Sequence, residues 1–149
     1  MKALLAAIKQ ELQANLTGIR DSDIYITPHE NYIPATAKPP CVGIKDGGEN
    51  RVELVADMWE VTAKVIIVPY VQLYKAEASI MGDAVAGKKG VLEMTAEIHA
   101  VLDRNHLNIS GMQWAFSSSE TPSQLFGDQK QSLQRQLITY QYVYEEERP

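Results

Sequence analysis

Residues 58–70 read MWEVTAKVIIVPY, and they decide the fold. Trp59, Val61, Ala63, Val65 and Ile67 share one parity, while Glu60, Thr62 and Lys64 share the other. A period of two with β-branched residues marks a strand that has one buried and one wet face. At Ile66 and Val68 the second parity turns apolar as well, so the strand enters a part of the sheet covered on both faces. Pro69 lacks the N–H that a ladder needs and is expected to end the run. The stretch predicts a central strand with helices packed over one end.

Just upstream, Val52, Leu54, Ala56 and Met58 carry the opposite parity. The apolar face therefore switches near Asp57, and a bulge or bend is expected there. Cys41 to Lys45 reads as a short strand. Asp46-Gly47-Gly48-Glu49-Asn50 reads as a turn, because its glycines supply positive φ. Together these segments predict a long β-hairpin whose first part projects from the body. Further upstream, Asp23 to Thr27 is a short strand stopped by Pro28. Residues 28–40 hold four of the seven prolines and read as an extended surface loop.

Two helices frame these strands. Leu4, Leu5, Ile8, Leu12 and Leu16 recur at helical spacing, with Gly18 as the stop. Val91, Met94, Thr95, Ile98, Val101 and Leu102 do the same, ending near Asn105. Between them, residues 71–88 contain a helical turn or two broken by Gly82 and Gly87. Met112, Trp114 and Phe116 alternate as a fourth strand, residues 118–131 form a polar loop, and Leu133 to Tyr144 form the last strand. Residues 145–149 read as a solvated tail. The expected architecture is α+β: a mainly antiparallel sheet with a long β-hairpin and two long helices packed on one face, as a single domain over residues 1–149.

Composition narrows the function. The 149 residues are 45% hydrophobic and 22% charged, which places the chain among globular rather than disordered proteins. The net charge of −5 argues against nucleic-acid binding and against an anionic membrane surface. Cys41 stands alone, so no internal disulfide forms and a reducing compartment is expected. The apolar start is interrupted by Lys9 and Glu11, unlike a signal peptide, and no apolar run approaches the ~18 residues of a spanning helix. The chain is therefore expected to be cytosolic or released from the cytosol. Asn15-Leu16-Thr17 and Asn108-Ile109-Ser110 match the glycosylation pattern without a secretory signal beside them.

No stretch carries catalytic chemistry. Residues 82–89, GDAVAGKK, fall one residue short of a phosphate loop, since Lys89 stands where a hydroxyl should bind magnesium. The segment before it is not a strand, and Asp83 would repel phosphate. His99 and Asp103 are four apart on a helix, but a metal site needs three or four convergent ligands. Glu93 and Glu97 share a polar helix face. Cys41 has no histidine at a spacing typical of a thiol nucleophile. The expectation is a non-enzyme, with no catalytic, cofactor-binding or metal residues. Ile138, Tyr140, Tyr142 and Tyr144 form an aromatic stripe, read either as a face against the core or as an edge that meets a partner.

In its order of segments the chain resembles the tail terminator and head–tail joining proteins of long-tailed bacteriophages. The segments are an amphipathic N-terminal helix, a proline-rich stretch with PPCVGIKDGG, the strand WEVTAKVIIVPY, the loop and helix MGDAVAGKKGVLEMTAEIHAVLDRNHL, then MQWAF and LITYQYVYE. The resemblance covers nearly the whole chain and brings no residue-level site with it. It implies a structural virion subunit that forms a hexameric ring at the head-proximal end of a tail, halts tube polymerisation, and contacts tail-tube and head-connector proteins. It also implies a location in the virion, and in host cytoplasm during assembly. Asp46, Gly47, Gly48, Glu49 and Asn50 on the hairpin, with Tyr140, Tyr142 and Tyr144, are the candidate subunit interface. Two competing readings are a ferredoxin-like ligand-binding or dimerising module and a small-molecule enzyme.

Overall fold

A computed structural model describes residues 1–55, 57–127 and 132–147. The order is α1 (Lys2–Asn15), a 3-10 turn (Asp21–Asp23), β1 (Ile24–Ile26), β2 (Cys41–Val55), β3 (Met58–Gln72), α2 (Ala76–Met81), α3 (Val91–Leu102), β4 (Met112–Glu120), β5 (Gln124–Phe126), β6 (Leu133–Arg135) and β7 (Ile138–Glu147). All seven strands join one sheet. β3 is its axis. One edge pairs with β2 from Cys41↔Tyr70 to Val55↔Met58. The other edge is shared: β7 takes Met58 to Ile67 and β6 takes Tyr70 to Gln72. β4 lies outside β7, and β5 lies outside β6.

The expected mainly antiparallel sheet with two long helices is corrected. The sheet is mixed, because β1 runs parallel to β2 through Ile24↔Val42 and Ile26↔Ile44. Parallel neighbours need a long crossover rather than a hairpin turn, and residues 27–40 supply it. The described helices are three, since the six-residue α2 stands between β3 and α3.

Pro69 does not end β3, which continues to Gln72. Its carbonyl accepts from the Gln136 N–H at 3.4 Å, in the gap between β6 and β7. The missing donor thus falls where no ladder partner stands.

The odd parity of β3 faces the helices. Ala63, Val65 and Ile67 pack with Leu4, Ile8 and Leu12 of α1 and with Val91, Met94, Ile98 and Leu102 of α3. Tyr140 and Tyr142 join this core from β7. The even parity builds a second, smaller core of Tyr25, Ala37, Cys41, Val68 and Tyr70, rimmed by Ile33, Ile66, Phe126, Leu133 and Leu137. The double cover foreseen at Ile66 and Val68 is therefore made by helices on one face and by residues 28–40 with β5 and β6 on the other. The proline-rich stretch is not merely a surface loop, since its Ala37 is buried. Asp23 pins it: the carboxylate accepts from the Lys38 N–H at 2.9 Å and takes two bonds from Arg20 at 2.8 and 2.9 Å.

The hairpin turn is displaced from its expected place. Residues 46–50 lie inside β2, and the chain reverses at the tip, where Asp57 has φ 68°. The two glycines form a β-bulge: pairing passes from Asp46↔Val65 to Glu49↔Ala63, leaving one extra residue on β2. Gly48 takes φ 92°, and a Cβ on Gly47 would press on Lys64 at 3.0 Å. A second irregularity lies between Glu53 and Val55, close to the expected parity switch. In β4 a similar shift between Met112 and Trp114 splits the expected trio. Met112 and Ala115 turn inward, while Trp114 and Phe116 turn to solvent. Leu133 to Tyr144 is two strands, and the tail residues Glu145 to Glu147 belong to β7. The rest of the expected tail and residues 128–131 of the expected loop lie outside the described residues.

Val65→Asp places an unpaired charge in the larger core and should cost more than about 4 kcal/mol, enough to unfold the chain. Glu49→Gln should cost only about 1 kcal/mol, as the loss of a partly exposed ion pair. Urea unfolding followed by far-UV circular dichroism separates the two; comparable losses would contradict this division of β3 and β2.

Asp23 gives a pH dependence. The Arg20 guanidinium hydrogen-bonded to it holds its carboxyl below the usual carboxylate range, against the opposing effect of burial. A depressed carboxyl contributes stability above the unfolded value of about 3.9 and loses it as pH falls through the lower folded value. Asp23→Asn should therefore be less stable than the parent at neutral pH, with the gap closing in acid. A gap that widens below about pH 4 would exclude this linkage.

Candidate assembly interface

The two cores leave part of the sheet uncovered. Paired residues share a face, so the register assigns the open side directly. One row runs Asn50, Thr62, Val143, Trp114; the next runs Lys64, Gln141, Phe116. Trp114 is 64% exposed and Phe116 42%. Large aromatic side chains in water at a sheet edge are the usual mark of a surface that meets another protein. They border a groove lined by Arg104, His106, Gln113, Trp114, Ala115 and Phe116. The Ala115 carbonyl in its floor is capped by the Arg104 N–H at 3.1 Å.

The second exposed region is the tip of the β2–β3 hairpin. Val52, Leu54 and Val55 are exposed there, beside Glu53 and Asp57. The base of the tip is held by ions. Glu49 bonds the Met1 amino group at 3.0 Å and Arg51 at 3.4 Å, and Arg51 also reaches Glu146 at 3.5 Å. Hydrogen bonding to the amino group holds the Glu49 carboxyl below its usual range. Glu49 is thus an anchor of the bulge to α1. Asp46, Gly47, Gly48 and Asn50 are exposed on the bulge.

Tyr140 and Tyr142 lie on the helix-covered face of β7. Tyr140 and Tyr142 are 0% exposed beneath the helices, and Tyr144 packs at the rim of the same core. The alternation that selected them is real, but their face is the helix-covered one. The Tyr140 hydroxyl donates to Asp103 at 2.7 Å and meets His99 Nδ1 at 2.5 Å. Burial, followed by the bond to Asp103, pushes this hydroxyl's pKa up. His99 Nε2 bonds Glu120. Gln136 then reaches Glu120 at 3.5 Å, the Thr121 carbonyl at 2.8 Å and Thr95 at 2.6 Å. This polar chain ties α3 to β4 and to the β6–β7 link.

The other candidate groups are also engaged. Lys89 bonds Glu97 at 2.5 Å and the Thr17 carbonyl, so it joins α1 to α3. Asp83 fills its own loop, accepting from the N–H groups of Val85 and Ala86 at 3.1 and 3.2 Å. Burial pushes the Cys41 thiol up to about 12, which keeps it protonated and unreactive at neutral pH. Among the described residues, no group of three or more His, Cys, Asp or Glu side chains is placed to hold a metal ion. No described helix is long and apolar enough to cross a membrane.

This geometry defines a class: a mixed-sheet fold with buried polar networks, a long β2–β3 hairpin and a partly open sheet face. No protein-family model matches the chain, and no curated protein matches it. Among solved structures, it is similar to a chain described as the virion of a native gene transfer agent particle. That likeness covers 96% of this chain and 95% of the other, at a TM-score of 0.58 and 14% identity. The two chains share a fold over their whole length.

Tyr140→Phe should cost about 1–2 kcal/mol, because it removes a buried hydroxyl and strands its partners Asp103 and His99. The variant's association should match the parent's in sedimentation velocity. A change in oligomeric state without a loss of stability would return Tyr140 to the interface.

Proposed function

We propose that this chain is a structural subunit of a phage-type particle. In this reading it is a tail terminator: it forms a hexameric ring at the head-proximal end of a tail and halts growth of the tube. Its partners are further copies of itself, the tail-tube protein and the head connector. It works in the virion, after assembly in host cytoplasm, and performs no catalysis.

The observation that carries this reading is the end-to-end fold likeness to a chain of a gene transfer agent virion. The surface supports it. Exposed apolar side chains lie at the hairpin tip, in Val52, Leu54 and Val55, and on the open sheet edge, in Trp114 and Phe116. A ring needs two different patches on each subunit, and these are two. The polar groups that chemistry would require are bonded to one another inside the fold. The net charge of −5 suits a conduit that DNA passes without being gripped.

Light scattering on the purified chain, alone and with a tail-tube protein from the same genome, tests the proposal. The expected result is a closed oligomer of six copies and tubes whose growth stops when it is added. A ring that binds a connector but leaves the tube growing would move the chain to the neck. A discrete dimer favours the ferredoxin-like module. A monomer without effect on tube length overturns the reading.

A further inference from the structure

The hairpin tip and the β4 groove, both apolar and exposed, differ in charge as well as in place. At the hairpin tip Val52, Leu54 and Val55 are flanked by Glu53, Asp57 and Glu60. None of these three acids makes a side-chain hydrogen bond or ion pair among the described residues. At the β4 groove Trp114 and Phe116 are flanked by Arg104 and His106, whose side chains are equally without partners there. By contrast, the charges around the cores are paired: Arg20 with Asp23, Lys89 with Glu97, and Arg51 with Glu49 and Glu146. One patch is apolar and acidic, and the other is aromatic with the Arg104 guanidinium at its border.

The sheet keeps these patches apart. The strand order β2, β3, β7, β4 sets them on opposite edges, about 14 Å apart across three strand spacings, with the tip displaced further along the strands. Both belong to the same sheet, and the hairpin is bonded along its length, so a tip cannot fold back onto its own groove. Only another molecule can bring the two together.

We infer that the hairpin tip of one copy docks in the Arg104–His106–Trp114–Phe116 groove of the next copy, with Leu54 and Val55 against the aromatic rings and Glu53 facing Arg104. This deepens the ring reading and rests on it. Joining unlike patches is a heterologous contact, which propagates head to tail until rotation closes the ring. The occupant is a second copy because the tip supplies what the groove lacks: unpaired acids for an unpaired guanidinium, and aliphatic side chains for aromatic ones.

Cysteine pairing tests it directly, since Cys41 is buried and stays silent. Leu54→Cys and Trp114→Cys chains, each prepared alone, are mixed and oxidised. The expected product is a disulfide-linked heterodimer, and a chain carrying both substitutions should give a ladder of covalent oligomers. Arg104→Glu should weaken association more than about tenfold, and adding Glu53→Arg should restore it. A ring by light scattering that shows neither the cross-link nor the charge rescue overturns the docking assignment and leaves the ring reading standing. A parent chain that stays monomeric, with no cross-link, overturns both.

Discussion

The structure depends on β3 being covered twice at one end and only once at the other. From Ile66 to Val71 side chains of both parities are sealed, by the helices on one side and by the 28–40 crossover with β5 and β6 on the other. A strand buried on both faces can have only one register, because a one-residue slip would exchange the two cores and send Lys64 inward. That end of β3 therefore fixes where β2, β6 and β7 pair. Toward the tip only the helix-side parity stays buried, as at Val61, while pairing with β7 continues to Met58↔Glu147. The exposed apolar side chains of the hairpin, Val52, Leu54 and Val55, all lie on β2, whose outer edge near the tip has no described strand beside it.

The crossover explains the mixed sheet and the second core together. β1 offers only three residues to the ladder, too few to hold a sheet edge by backbone bonds alone. It is kept in place because Tyr25 enters the smaller core and because Asp23, one residue before the strand, binds the returning chain at Lys38. A single carboxylate with 4% exposure thus sets the path of the segment that covers Val68 and Tyr70. Arg20 makes this burial tolerable, since a buried carboxylate without a paired cation would be strongly unfavourable.

What the sequence made legible follows from how many residues repeat a signal. β3 and the two amphipathic helices were readable because five or more positions agree on one period. The 28–40 cover was not, since it buries Ala37 and half-buries Ile33 with no period linking them. The Asp46–Asn50 run was misplaced for a definite reason: glycine at positive φ serves a hairpin turn and a bulge equally, and only the pairing register separates them. Parity found the tyrosine stripe but could not say which side the helices would take. The β4 groove was missed because a bulge between Met112 and Trp114 hides the change of face from an alternation test. A signal was present nonetheless, in the large aromatics Trp114 and Phe116 beside a polar, serine-rich continuation of the strand.

Charge pairing separates what holds the subunit from what it offers to others. The His99–Tyr140–Asp103–Glu120 chain uses groups that elsewhere do chemistry, yet each is spent on its neighbour. It joins α3 to the last residue of β4, so it braces the strand that carries Trp114 and Phe116. A rigid edge matters for an assembly subunit, because a partner that must first order a surface loses part of the binding free energy. The same economy explains the bulge. Glu49 and Arg51 are turned toward the helix side and bond Met1 and Glu146, which stiffens the base of the hairpin while its tip stays unpaired. Glu49 and Arg51 are paired at the base of the hairpin, while Glu53, Asp57 and Glu60 near its tip are not, among the described residues.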